Sequence, residues 1–151
     1  VTLIREYWNR PEANASEFRD GWFNSGDIGF LDADGYLYLT DRAKDMVIRG
    51  GENIFPLEVE KTLMDAPQVL ETVAFGVPDD QWGEELAIVV RLKRPGSMDE
   101  NAVREFLSAR LAAFKVPRYV SFTEEPLPRN ATEKVLKKEV RHAFIATHDL
   151  H

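Results

Sequence analysis

Apolar residues follow two different periods along this chain. Ile28, Phe30 and Leu31 precede Asp34-Gly35, and Tyr36, Leu37, Tyr38 and Leu39 follow it. Asp-Gly between β-prone flanks predicts a hairpin, because such a pair accepts the positive φ angles of a tight turn. Met46-Val47-Ile48 predicts a second strand, turned at Arg49-Gly50-Gly51-Glu52-Asn53 and left through Ile54-Phe55. The period then changes. Pro56 opens a predicted helix with Val59, Leu63 and Ala66 on one face. Residues 73–77 and 86–92 are predicted strands, joined by a polar loop over 78–84. Ser97 with Glu100 reads as a capping box before a helix that buries Val103, Leu107 and Leu111. Lys115-Val116-Pro117 breaks that helix, and Tyr119, Val120 and Phe122 form a short strand. A last helix is predicted from about Lys134, with Leu136, Val140 and Phe144 inward.

The first 25 or so residues differ in texture. Tyr7, Trp8, Phe18, Trp22 and Phe23 stand among Asn9, Pro11 and Gly21. They predict an irregular segment with one short helix near residues 11–18, where Pro11 suits a first turn. The pattern as a whole predicts an α+β fold, a hairpin-rich stretch followed by a compact unit of two or three strands and three helices. The charged joint at residues 41–45 is the expected boundary.

The 151 residues suit one domain, or one domain with a piece of another. The net charge of −7 argues against a general nucleic-acid binder, since an acidic surface repels phosphate. The longest apolar run, residues 86–90, has the length of a strand and falls far short of a membrane span. Cysteine is absent, which removes disulfides, thiolate metal sites and thiol nucleophiles and accords with a cytoplasmic location.

Three places could carry chemistry. At Gly50-Gly51 the bare backbone would let another molecule approach closely; an ordinary hairpin turn is the competing reading. Residues 126–134 form a polar loop that delivers Lys134 to a helix start. From Arg129 to Arg141, five basic side chains face only two acidic ones, a patch suited to phosphate or carboxylate, or simply a solvated helix. Asp27 after Gly26, together with Arg42, could accept the hydroxyl pair of a sugar, or form an Asx turn. Asp32-Ala33-Asp34-Gly35 could open a calcium loop, but Tyr36 and Tyr38 stand where oxygen ligands would be needed. His142, His148 and His151 lack metal-ligand spacing.

Three stretches, read together, resemble the adenylate-forming ligases, and in detail the acyl-CoA synthetases, the fatty-acid–CoA ligases in particular. They are Gly21-Trp22-Phe23-Asn24-Ser25-Gly26-Asp27, the long run from Asp41-Arg42-Ala43-Lys44-Asp45 through Arg49-Gly50-Gly51-Glu52-Asn53 to Pro56-Leu57-Glu58-Val59-Glu60, and Pro128-Arg129-Asn130-Ala131-Thr132-Glu133-Lys134-Val135-Leu136. The resemblance implies a two-step reaction. A carboxylate attacks the α-phosphate of ATP to give acyl-AMP and pyrophosphate, and the thiol of CoA then displaces AMP. Mg²⁺ accompanies the nucleotide and is bound mainly through a missing N-terminal domain.

The same resemblance assigns roles residue by residue. Asp27 would bind the ribose hydroxyls, and Arg42 the ribose or phosphate region. Lys134 would bridge carboxylate and phosphate oxygens during adenylation. Lys44 falls at the family's hinge, about which the small C-terminal domain rotates between the two steps. Gly50 and Gly51 would then line the channel for the pantetheine arm of CoA, with Lys115 and Arg118 near its phosphates. Residues 1–43 would be the end of the large N-terminal domain and 44–151 the mobile C-terminal domain. Val1 is not an initiator Met, so the chain is expected to be a fragment, nearly inert alone. Rival readings are a peptide-synthetase adenylation domain, a luciferase-like oxidase, and a non-catalytic nucleotide- or CoA-binding module. Two departures stand out. Glu133 replaces the family's usual glycine and is expected to weaken the pull of Lys134, and Asn24-Ser25 replaces a more usual basic residue and Thr.

Overall fold

The structure is a computed structural model that describes residues 4–150. Its contacts divide the chain into two compact units, one ending at Lys44 and one beginning at Asp45.

The first unit holds helix α1 (Pro11–Glu17), a two-residue ribbon of β1 (Phe18–Arg19) and β2 (Trp22–Phe23), and a hairpin of β3 (Asp27–Leu31) and β4 (Leu37–Arg42). Pro11 opens α1 in the first turn, as expected. The aromatic rings of Tyr7, Phe18 and Phe23 meet at centroid distances of 5.0 to 6.1 Å. The Asn14 side chain pins this cluster by bonding the Tyr7 N–H at 2.7 Å and its carbonyl at 3.0 Å. The hairpin turn is longer than Asp-Gly alone implied. Gly35 alone takes a positive φ there, and the Asp32 carboxylate accepts the N–H groups of Asp34 and Tyr36 at 3.0 and 2.9 Å. Asp32 is therefore an acceptor for its own loop, and these bonds, led by that from Tyr36, hold its pKa below the ordinary carboxylate value.

No described residue of this unit is fully buried. Phe30, Leu31, Tyr36, Leu37, Tyr38 and Leu39 are all exposed, although neighbours in a strand point to opposite faces. Both faces of the hairpin therefore present apolar surface to solvent.

The second unit has a five-stranded sheet and three helices. It comprises β5 (Val47–Arg49), β6 (Glu52–Ile54), α2 (Pro56–Met64), β7 (Val69–Asp79), β8 (Gly83–Leu92), α3 (Glu100–Ser108), β9 (Tyr119–Thr123) and α4 (Lys137–His148). The expected two or three strands fall short of this count. The strands run in the order β6-β5-β8-β7, and β9 pairs in parallel with β8. Strands β7 and β8 form a long antiparallel pair, in register from Thr72↔Val90 to Asp79↔Gly83. The predicted polar loop over 78–84 shrinks to a three-residue turn, because Pro78, Asp79, Gly83 and Glu84 continue the ladder.

The alternation along β7 and β8 explains the unbroken apolar run. Ala74, Leu86, Ile88 and Val90 face one cluster with Val59, Leu63, Val103 and Leu107 of α2 and α3. Val73, Phe75, Val77, Ala87 and Val89 face the other, with Leu127 and with Val140 and Phe144 of α4. A strand covered on both sides has no polar face to show.

Helix boundaries depart from the pattern in four places. Asp99, not Ser97, caps α3, its carboxylate accepting the Ala102 N–H at 2.8 Å. Helix α3 ends at Ser108, so Leu111 packs half-buried beyond it, and Ala66 likewise lies past the end of α2. Helix α4 begins at Lys137, so Lys134 and Leu136 precede it.

Candidate functional site

The first group of candidate residues lies in the unit that ends at Lys44. Asp27 opens β3 and Arg42 closes β4, and they are cross-strand partners. The Arg42 Nε donates to Asp27 Oδ1 at 3.0 Å. The approach to Asp27 is shaped by its predecessors. Gly26 takes φ +71°, its N–H donates to Asn24 Oδ1 at 3.0 Å, and the Asp27 N–H donates to Ser25 Oγ at 3.2 Å. A cleft of about 560 Å³ beside this turn is lined by Gly26, Arg42 and Lys44 together with Arg10, Glu17 and Asn24. Three cations border it, an environment that favours an anionic or phosphorylated guest. Lys44 is exposed in a single 3-10 turn, Ala43–Asp45.

The second group is the Gly50-Gly51 turn between β5 and β6. Both glycines have positive φ, +55° and +92°. A Cβ on Gly50 would stand 2.5 Å from Cε3 of Trp82, whereas one on Gly51 would meet nothing within 4 Å. The two glycines thus differ in kind: Gly50 makes room for an indole ring and Gly51 presents open backbone. The Gly50 N–H donates to the Trp82 carbonyl at 2.9 Å, and the Ile48 N–H to Glu84 Oε2 at 2.8 Å. The Arg49 guanidinium stacks 4.8 Å from the Trp82 ring and pairs with Glu85 at 2.8 Å. Glu85 is 2% exposed in the middle of a sheet. Its hydrogen bond to Arg49 raises the guanidinium's pKa further above its already high value, against a smaller opposing effect of burial. Arg118 stands at 2.9 Å from Asp79 and 3.9 Å from Glu85. The turn of β7–β8 therefore clamps the glycine loop.

The third group is the loop before α4. Lys134 is exposed, and its ammonium makes no ion pair or hydrogen bond among the described residues. Its backbone is held from both sides. The Lys134 N–H donates to Asn130 Oδ1 and the Asn130 N–H to the Lys134 carbonyl, each at 2.9 Å, and Arg129 and Val135 form a β-bridge. Lys134 lies ahead of α4 and of its N-cap residue Leu136, so its cation stands outside the helix whose N-terminal dipole would oppose it. Glu133 takes φ +61°, a left-handed backbone that glycine adopts without cost. Its carboxylate forms no ion pair with Lys134.

The basic patch over residues 129–141 is smaller than its charge count. Arg129 pairs with Glu71, Lys137 with Glu60 at 3.0 Å, and Arg141 donates to the Gly76 carbonyl at 2.7 Å. Lys134 and Lys138 remain exposed. Lys115, expected near CoA phosphates, is tied to both oxygens of Glu58 at 2.8 and 2.7 Å. His151 lies outside the described residues. Among the described residues no three His, Asp or Glu side chains converge to hold a metal ion.

Sequence reasoning missed Glu71, Glu85 and the clamping role of Trp82. Burial would push the Glu71 pKa up, but donors from Arg129 and Arg91, with the Leu127 N–H, outweigh it and hold the carboxyl below its usual range.

A family model for the AMP-binding enzyme C-terminal domain matches residues 58–134, half of the chain and ending on Lys134 itself. The chain belongs to this family. Curated relatives of the AMP-binding enzymes include the long-chain-fatty-acid–CoA ligase FadD13 of Mycobacterium tuberculosis, 46% identical over 96% of this chain and 28% of its own length. The 2-succinylbenzoate–CoA ligase of Geobacillus kaustophilus is 50% identical over 96% of this chain and 29% of its own length. Among solved structures, the o-succinylbenzoate CoA synthetase of Bacillus subtilis with its acyl-adenylate intermediate superposes with a TM-score of 0.85 at 37% identity, covering 92% of this chain and 28% of that one. This chain therefore spans less than a third of the length of these relatives. The fold is that of the small C-terminal domain of adenylate-forming ligases, a small sheet flanked by three helices.

Proposed function

We propose that the chain is the C-terminal part of an ATP-dependent acyl-CoA synthetase, which converts a carboxylic acid, ATP and CoA into acyl-CoA, AMP and pyrophosphate. The observation that carries this reading is Lys134: an exposed ammonium without an ion pair among the described residues, on a backbone pinned at both neighbours, at the end of the segment that matches the family. A flexible point cation suits a transition state in which charge spreads over carboxylate and phosphate oxygens. Removing one such stabilising donor costs about 10²–10³-fold in rate.

Residues 1–43 are proposed as the end of the large N-terminal domain. The hairpin β3–β4, apolar and exposed on both faces, supports this, because such a surface needs cover on both sides. Asp27, oriented by Arg42, would accept the ribose hydroxyls, and Arg42 would face the ribose or phosphate. Residues 44–151 would swing about Lys44, supported by the division of contacts directly after it. In the second step Lys134 would leave and the open backbone of Gly51 would enter beside the pantetheine arm, with Gly50 held under Trp82. The described residues do not fit Mg²⁺, which would be held with the nucleotide by other parts of the enzyme.

Relatives of nearly equal identity are named for fatty, succinylbenzoic and ferulic acids, so likeness over these residues supports a carboxylic acid and not one acid over another. Incubating the full-length ligase with ATP, CoA and a panel of fatty and aryl acids tests the reading. AMP, pyrophosphate and a thioester in equal amounts are expected. ADP as the product, or AMP without thioester, would refute it.

A further inference from the structure

A lysine ammonium rides on four methylenes, so its accuracy depends on where its own backbone is held. The backbone at Lys134 belongs to no helix or long strand, yet it is braced through one half-buried carboxylate on the sheet. Glu71 of β7 faces Arg91 across the ladder, and the Arg91 guanidinium donates to Glu71 Oε2 at 3.0 Å. The other oxygen, Oε1, receives the Arg129 guanidinium. A second nitrogen of the same guanidinium donates to the Glu133 carbonyl at 2.7 Å. That carbonyl belongs to the peptide bond whose N–H is that of Lys134. One planar fork thus joins a fixed carboxylate in the sheet to the peptide group that carries the lysine, as a bidentate guanidinium can and an ammonium cannot. Arg91 holds the loop at a second point, its Nε donating to the Glu124 carbonyl at 3.1 Å.

We propose that Glu71, acting through Arg129, is a positioning residue for Lys134 in the adenylation step. This rests on the reading of Lys134 given above. It goes beyond that reading by naming what holds the lysine in place. A displacement of about 1 Å at a reacting group lowers rates by about 10²-fold, so loosening this fork is expected to show in the step that uses Lys134 and not in the step from which it withdraws. Glu71 has no place in the glycine loop, whose own anchors are Glu84, Glu85 and Trp82.

The test uses the full-length ligase and measures two half-reactions separately: pyrophosphate release on forming acyl-AMP, and thioester formation from supplied acyl-AMP and CoA. Glu71→Gln keeps the shape and removes the charge. It is expected to slow the first at least tenfold and leave the second within about twofold. Arg129→Gln, which leaves Glu71 paired with Arg91 in the sheet, is expected to do the same and decides the matter if Glu71→Gln does not fold. Lys134→Ala is measured alongside. If Lys134→Ala selectively stops adenylation while the Glu71 and Arg129 variants spare both steps, or slow both equally, the positioning role is overturned and the reading of Lys134 survives. If Lys134→Ala is not selective, that reading fails and the proposal fails with it.

Discussion

Gly50→Ala isolates the contact that clamps the glycine loop. The added methyl carbon would sit 2.5 Å from Trp82 Cε3 and 3.0 Å from Cζ3, on a backbone with φ +55°. A left-handed alanine costs about 1 kcal/mol. Overpacking against a ring adds about 1–3 kcal/mol. The ring has an escape, because Trp82 is partly exposed and can swing outward. Doing so surrenders the Arg49 stacking, about 0.5–1 kcal/mol at such a site. The lower end of the range therefore applies, about 2 kcal/mol in all. Gly51→Ala meets nothing within 4 Å and carries the backbone cost alone, about 1 kcal/mol. In a Trp82→Ala background, Gly50→Ala should fall to that same value, a coupling of about 1 kcal/mol. Urea unfolding followed by far-UV circular dichroism, with unchanged m-value, reads these differences. Equal costs at Gly50 and Gly51, or a Gly50 cost that persists without Trp82, would refute the packing argument.

Glu133→Gly should stabilise the chain. Relief of a left-handed side chain gains about 1–2 kcal/mol and the extra freedom of the unfolded glycine returns about 0.5–1, leaving a net gain near 0.5 kcal/mol. Glu133→Ala should show no gain, and calorimetric midpoints compare the two. Glu85→Ala strips the partner from Arg49 inside the sheet and should cost about 3 kcal/mol in denaturant unfolding; a cost within experimental error would show that Arg49 finds an equally good partner. Glu71 titrates below its unfolded value near 4.5, so its stabilisation is complete above that pH and is lost as the pH falls through the lower folded value. The stability gap between the wild type and Glu71→Gln should be flat above pH 4.5 and close in more acid solution. A gap that widens there would reverse the sign of the argument.

The Asp34-Gly35 turn located the β3–β4 hairpin, whose apolar residues are exposed. Hydrophobic period located α2, α3, α4 and the core of β8, because each carries its burial in its own side chains. It failed where burial depends on a distant partner. Glu85 beside the run Leu86 to Val90 reads as the polar end of a strand, and Arg49, 36 positions earlier, with Arg118 at 3.9 Å, makes its burial tolerable. The extension of β7 through Pro78 and Asp79 was hidden by residues that favour turns. Helix α4 was placed too early because Val135 and Leu136 continue the apolar pattern, while the Asn130 side chain and the Arg129–Val135 bridge hold that stretch out of the helix. The candidate residues Asp27, Arg42, Lys44, Gly50, Gly51 and Lys134 came from motifs. Their supports, Glu71 and Trp82, lie outside the motif that each one serves, and folding alone brings them to it.

The central claim is that two loops of one small unit serve two different chemical steps. Rates of acyl-AMP formation and of thioester formation, measured side by side in full-length Lys134→Ala and Gly51→Leu variants, test it most directly. A crossed pattern is expected, with Lys134→Ala losing the first rate about 10²–10³-fold and Gly51→Leu losing chiefly the second. If both variants lose the same step, the two loops do not divide the reaction between them.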